Sequence, residues 1–288
     1  MRHNLAGVLI LTAALGRAAA DDAPLPFGAK VTGTGTPVIF IPGLGCDGAV
    51  WDTTVAHFRG THECHVLTPA GFAGQPPVKG PFFDTMSAGL ARYVREKKLA
   101  KPALVGHSIG AALALRAATD HPDLFGAAVA VDGFPCVFAL IDPAVTPEAM
   151  AKAGAAERAK LEGATRDDLL KGQKAMFGQW LAGDKLDGAM KWQAASDQAT
   201  LARAKGEVFA LDLRPAMARV TTPVLVLGAY DKAYERFGVT RAAFEGRIKA
   251  QLAGAKAATV AVRDDSKHFI MYDQPDWMWK EIAAVVGK

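Results

Sequence analysis

Cysteine is scarce in this chain: 288 residues hold only three, Cys46, Cys64 and Cys136. Three cannot all pair within one chain, so a disulfide framework is excluded. One disulfide with a free thiol, or three buried thiols, both remain open. A chain of this length can bury a core without such staples. Charge of one sign is equally sparse: 33 Lys and Arg against 29 Asp and Glu leave a net +4. No basic block is present that would suit nucleic acid or an acidic membrane surface. Gly33-Thr34-Gly35 is too short for a nucleotide fingerprint. His57, His62, Cys64 and His65 lie close in sequence, but their steps match no familiar metal-ligand pattern. No metal and no organic cofactor is expected.

Long apolar runs are lacking too, with one exception at the start. Arg2 and His3 precede Leu5 to Leu15, and Ala18-Ala19-Ala20 precede Asp21. A transmembrane helix needs about 20 apolar residues, and this run is shorter. A basic head, an apolar stretch and a small-residue site instead describe a signal peptide over residues 1–20, with an uncleaved membrane anchor as the alternative. The mature chain is then expected to be exported, periplasmic or secreted, with no stable membrane span.

What the chain does have is an alternation. Short apolar runs at Val38–Ile41, His65–Thr68, Ala103–Val105, Ala127–Val131, Val224–Leu227 and Ala258–Val262 read as strands. Residues 21–36 hold room for one more. Helical patterns occupy about 82–97, 109–120, 239–252 and 276–286. Strand alternating with helix predicts an α/β fold with a mostly parallel, doubly wound sheet covered on both faces. The stretch 137–216 breaks the rhythm. It is rich in Ala, Lys, Glu, Met and Leu, so an all-helical cap is expected between two strands. The core is then residues 21–136 and 217–288.

Gly106-His107-Ser108-Ile109-Gly110 joins a predicted strand to a predicted helix. A serine on a sharp turn there stands clear of the strand, and the flanking glycines let neighbouring backbone pass. The helix N-terminus offers free amides to a developing oxyanion. Ser108 is therefore the candidate nucleophile. It needs a base, and the base needs an orienting carboxylate. His268 follows the last strand in a loop. Asp231 and Asp132 each end a strand, and parallel strands place those ends on one sheet edge. The chain order Ser108, Asp231, His268 favours Asp231, with Asp132 as the alternative acid.

These residues resemble the α/β-hydrolase superfamily, in particular its small capped esterase or lactonase-like members. The likeness also rests on Ile41-Pro42-Gly43-Leu44-Gly45, on Gly228 to Asp231, and on His268-Phe269 followed by Gln274-Pro275. It implies Ser108 as nucleophile, Asp231 as acid, His268 as base, and an oxyanion hole from the backbone amides of Leu44 and Ile109. Pro42 departs from a histidine common in the family, but backbone donors do not depend on it. Thr68 to Phe72 lacks a charged residue that many members carry, and it receives no role. Phe134, Phe269, Phe177 and Trp180 are candidate pocket residues. The expected activity is cleavage of a carboxylic ester or related acyl bond in a small molecule, through an acyl-enzyme. The same residues would also serve a lactonase, a carbon–carbon hydrolase or a cofactor-free haloperoxidase. A catalytically silent protein holding an apolar ligand is the remaining rival. The sequence leaves oligomeric state open.

Overall fold

Strands covered on both faces have no solvent side, so their sequences run apolar without alternation. The computed structural model, which describes residues 24–287, places such strands at the centre of a seven-stranded sheet. They are β2 (Thr36–Ile41), β4 (Ala103–His107), β5 (Ala127–Val131) and β6 (Val224–Ala229). With β1 (Phe27–Thr32), β3 (His62–Pro69) and β7 (Ala258–Arg263), the spatial order is β1-β3-β2-β4-β5-β6-β7. All neighbours are parallel except β1, which pairs antiparallel with β3. The edge strand β7 is only half-buried along its length.

Successive side chains point to opposite faces and so feed different layers. Val38, Phe40, Val105, Val129, Val131, Leu225 and Leu227 pack on one side against α1 (Asp52–Phe58) and α10 (Pro275–Val286). Ile39, Ile41 and Leu104 turn the other way, onto α2 (Phe82–Glu96) and α3 (Ile109–Asp120). Val224 and Val226 meet α8 (Arg241–Gln251) on that side. Helix α1 ends at Phe58 and β3 begins at His62, so the segment holding His57 to His65 runs from a helix end into a strand. The opening Asp52, Thr53 and Thr54 of α1 are weak helix formers, and burial of Val55 and Phe58 offsets that.

Between β5 and β6 the chain leaves the sheet through α4 (Pro147–Gly163), α5 (Arg166–Phe177), α6 (Gly183–Ala195) and α7 (Gln198–Ala210). Thr146, Thr165 and Asp197 cap three of them by accepting a first-turn amide. Helices α4 and α7 cross at Gly154 and Gly206, where a Cβ on Gly154 would overlap the carbonyl of Gly206. Helix α7 also ties this layer to the core. Glu207 accepts the Phe82 and Phe83 amides at 2.8 and 3.0 Å, which caps α2 from outside. Arg203 donates to the Val78 carbonyl at 2.9 Å. The last short helix, α9 (Ile270–Asp273), follows the loop that carries His268.

From β2 the chain moves outward to β3, then crosses back to β4 on the other side of β2. Reversal of this kind opens a crevice beyond the carboxyl ends of the two strands. Pro42 to Gly45 and Ser108 stand at those ends. Among the described residues, no helix is long and apolar enough to cross a membrane. Cys46, Cys64 and Cys136 are free and buried. The proposed signal segment, residues 1–20, lies outside the described residues.

Candidate active site

Strand β4 ends at His107 and α3 begins at Ile109, leaving Ser108 alone to make the turn. Its φ of 56° and ψ of −119° lie in the left-handed range that non-glycine residues avoid. Such a residue costs about 1–3 kcal/mol and persists only where its surroundings enforce it. Here the Ser108 amide donates to the Val131 carbonyl at 2.9 Å. Its own carbonyl accepts from Ala111 and Ala112 at 3.0 and 3.1 Å, starting α3. A Cβ on Gly106 would overlap the Gly110 carbonyl, so the first motif glycine permits the close passage of strand and helix.

Ser108 lines a cavity of about 380 Å³ together with Gly43, Leu44, Ile109, Asp132 and His268. All four aromatic residues singled out from sequence also line it: Phe134, Phe177, Trp180 and Phe269. Phe177 and Trp180 come from the helical layer, and the Trp180 ring lies 4.4 Å from that of His268, centroid to centroid. Lys267, beside His268, donates to the Gln179 carbonyl at 3.0 Å. The helical layer therefore roofs the serine and braces the histidine loop. Val137, Met176, Val208, Phe209 and Tyr234 complete the wall. Lys205 lines it as well, and its ammonium is paired with Glu157 at 2.7 Å.

The two aspartates separate clearly. His268 Nδ1 lies 2.6 Å from Asp132 Oδ2. Asp132 Oδ1 accepts the Ala229 amide at 2.9 Å, so both carboxylate oxygens are engaged. Asp231, the favoured acid in the sequence reading, points elsewhere. It accepts the Ala233 amide at 2.7 Å and caps the 3₁₀ turn Lys232–Phe237. The carboxylate that meets His268 is thus the alternative, Asp132. The signal for Asp231 as a cap was present, since aspartate two residues before a free amide makes a local turn. Asp132 has a φ of 46°, a backbone state that aspartate tolerates better than most residues.

His107 packs beside His268, with ring centroids 4.7 Å apart. Its Nε2 donates to the His268 carbonyl at 2.9 Å. Complete burial, then the neighbouring His268, hold its pKa well below the ordinary value, so this imidazole stays neutral. Cys46 shares the cavity wall, but burial, then the charge of Asp47, push its thiol up to about 12. A protonated thiol is a poor nucleophile. The histidines near Cys64 disperse: His57 stacks on Trp279, and His65 Nδ1 pairs with the Tyr93 hydroxyl at 2.8 Å.

The sequence over residues 38–281 matches the profile described as the alpha/beta hydrolase family. The chain belongs to the alpha/beta hydrolase family. Family members of solved structure superpose along nearly the whole chain. A hydrolase from Pseudomonas aeruginosa has a TM-score of 0.75 at 15% identity, covering 91% of this chain and 94% of its own. The enol-lactonase of Burkholderia xenovorans gives 0.72 at 17%, covering 91% and 96%. A thermophilic esterase from Thermogutta terrifontis gives 0.71 at 17%, covering 90% and 92%. At such identities the likeness is one of fold. A pimeloyl-[acyl-carrier protein] methyl ester esterase of Aliivibrio fischeri is 28% identical over 107 residues. That match spans 37% of this chain and 40% of the relative.

Proposed function

We propose that this alpha/beta hydrolase cleaves a carboxylic ester or related acyl bond through an acyl-enzyme on Ser108. The observation that carries the reading is the convergence of three groups: a strained serine facing the cavity, a histidine on the same wall, and a buried carboxylate 2.6 Å from that histidine. In this scheme His268 Nε2 takes the Ser108 proton as Oγ attacks the acyl carbon. Asp132 accepts the Nδ1–H and so fixes the tautomer that leaves Nε2 free. The Leu44 and Ile109 amides receive the oxyanion, each worth about 3 kcal/mol in the transition state. Ile109 opens α3, where first-turn amides have no partner within the helix. Collapse of the intermediate expels the alcohol with the proton from His268, and water repeats the sequence on the acyl-enzyme.

The substrate class follows from the walls. Small-molecule sites run from about 300 to 1,000 Å³, so the cavity suits a small or medium acyl group of apolar character. Turnover of a chromogenic short-chain ester, with stoichiometric labelling by a fluorophosphonate probe, tests the reading. Both are expected to vanish in Ser108→Ala; an active Ser108→Ala enzyme overturns it. We also propose that the chain is exported, from Arg2, the Leu5 to Leu15 run and Ala18 to Ala20. Mass spectrometry of the protein from its native host is expected to find a mature N-terminus near Asp21.

A further inference from the structure

The turn that carries the Leu44 amide is held from the helical layer by a buried side chain. Gly43 accepts the Cys46 amide at 3.1 Å, which closes a four-residue turn with Leu44 and Gly45 at its centre. Gly45 has a φ of 64°. In such turns the central peptide can face either way, and a positive φ at the third position selects one of the two orientations. The central carbonyl here, that of Leu44, accepts from Gln193 Nε2 at 2.8 Å. Gln193 stands at the end of α6, fully buried. A Cβ at Gly45 would overlap its amide, so turn and glutamine are in direct contact. Only the NH₂ side of an amide can face a carbonyl, which fixes how Gln193 is oriented.

Contacts of Ser196 and Arg166 hold the turn and the end of α6 together. Ser196 Oγ turns its one proton toward two carbonyls, that of Trp192 at 2.8 Å and, more distantly, that of Gly45 at 3.3 Å, the next along the turn. It also accepts the Ala73 amide at 2.8 Å. Arg166 Nη2 gathers the carbonyls of Gln193, Ala194 and Ser196 at 3.0, 2.8 and 3.0 Å, which holds the end of α6 in place. Gln193 Oε1, by contrast, is buried and finds no donor among the described residues. A buried amide with one half unsatisfied is a poor choice for stability alone. The half that is satisfied is the half that touches the turn.

We propose that Gln193 is a positioning residue for the oxyanion hole: its bond to the Leu44 carbonyl locks the turn so that the Leu44 amide is preorganised for the transition state. The inference rests on the serine hydrolase reading above. It makes the helical layer part of the catalytic apparatus, beyond its part as a roof over the substrate. The ground-state ester needs no such alignment, so the effect falls on the chemical step.

The test compares Gln193→Met with Gln193→Glu. Methionine keeps the volume and removes both the bond to Leu44 and the unsatisfied oxygen. Glutamate places an acceptor against the carbonyl. Gln193→Met is expected to lower kcat about tenfold with KM within twofold, while Tm changes little, because the Leu44 carbonyl that loses its donor offsets the unsatisfied oxygen removed. A full lost donor costs 10²- to 10³-fold, and a misaligned one less. Affinity for an alkyl boronate, which forms a tetrahedral adduct on the serine, is expected to fall by the same factor as kcat/KM. Gln193→Glu should be slower still. A purely structural glutamine predicts the reverse for Gln193→Met: lower Tm with kcat and boronate affinity unchanged, and that result overturns the proposal. Ser108→Ala separates the two claims. If it is inactive while Gln193→Met is unimpaired, only the positioning role fails. If Ser108→Ala is active, the underlying reading fails.

Discussion

The ends of β5 and β6 are neighbours on the same sheet edge, and each carries an aspartate one or two residues past the strand. Asp132 takes a left-handed φ of 46° and sits almost fully buried with its carboxylate on His268. Asp231 keeps an extended backbone, with φ −107° and ψ 135°, and spends its carboxylate on a local amide. Topology made both eligible. Backbone conformation separated them, because it decides whether the carboxylate reaches across the edge or curls back onto its own chain. Position along the sequence is therefore a weaker guide to which aspartate meets His268 than the bonds each residue makes.

Four substitutions would sharpen or break that contrast. The largest effect sets its floor: Ser108→Ala is expected to cut kcat on a chromogenic ester by about 10⁵-fold, leaving only residual hydrolysis. Next, Asp132→Asn should lower kcat about 10³- to 10⁴-fold, by permitting the wrong tautomer of His268. Asp231→Asn should stay within threefold of the parent, since asparagine caps as well as aspartate. Equal losses at the two sites, measured side by side, would erase the distinction. Asp231→Ala should instead cost about 1 kcal/mol in denaturant unfolding, the worth of a lost cap, with activity preserved.

Smaller effects test what surrounds Asp132 and His268. Trp180→Leu removes the ring 4.4 Å from His268 and is expected to lower kcat/KM several-fold, between the two aspartate results. The smallest effect is a slope. His107 is neutral when folded because its pKa is depressed. Below the unfolded histidine value of about 6.5 the unfolded chain binds a proton that the folded chain refuses, so stability falls as pH drops. His107→Gln should flatten that fall by up to one proton, about 1.4 kcal/mol per pH unit, in urea titrations between pH 5 and 7.5.

The sheet was legible because its central strands are short apolar runs closed by Pro42-Gly43 or by a turn, and such runs suit few other structures. Ser108 was legible because strand, turn and helix meet within five residues. His268 followed from its place after the last strand. Asp132 was seen only as the lesser choice, since nothing in Val131-Asp132-Gly133 announces a left-handed aspartate; the tight passage of Gly133 against the Ser108 carbonyl exists only in three dimensions. Gln193 belongs to no motif, and His107 fills a position of the serine motif, between Gly106 and Ser108, that the motif leaves free. Their significance comes from partners 149 and 161 residues away, and separations of that size leave no periodic trace.

Glu207, which caps α2 from within α7, bears on how this protein can be re-engineered. The helical layer cannot be exchanged as a cassette cut at β5 and β6, because a foreign layer would leave the Phe82 and Phe83 amides bare. It would also strip Val78 and Gly71 of the donors that Arg203 and Asp197 supply. A working graft must carry residues 71–83 with the layer they serve. The unit of inheritance here is discontinuous in sequence: two segments that have to travel together if specificity is to be moved from one enzyme to another.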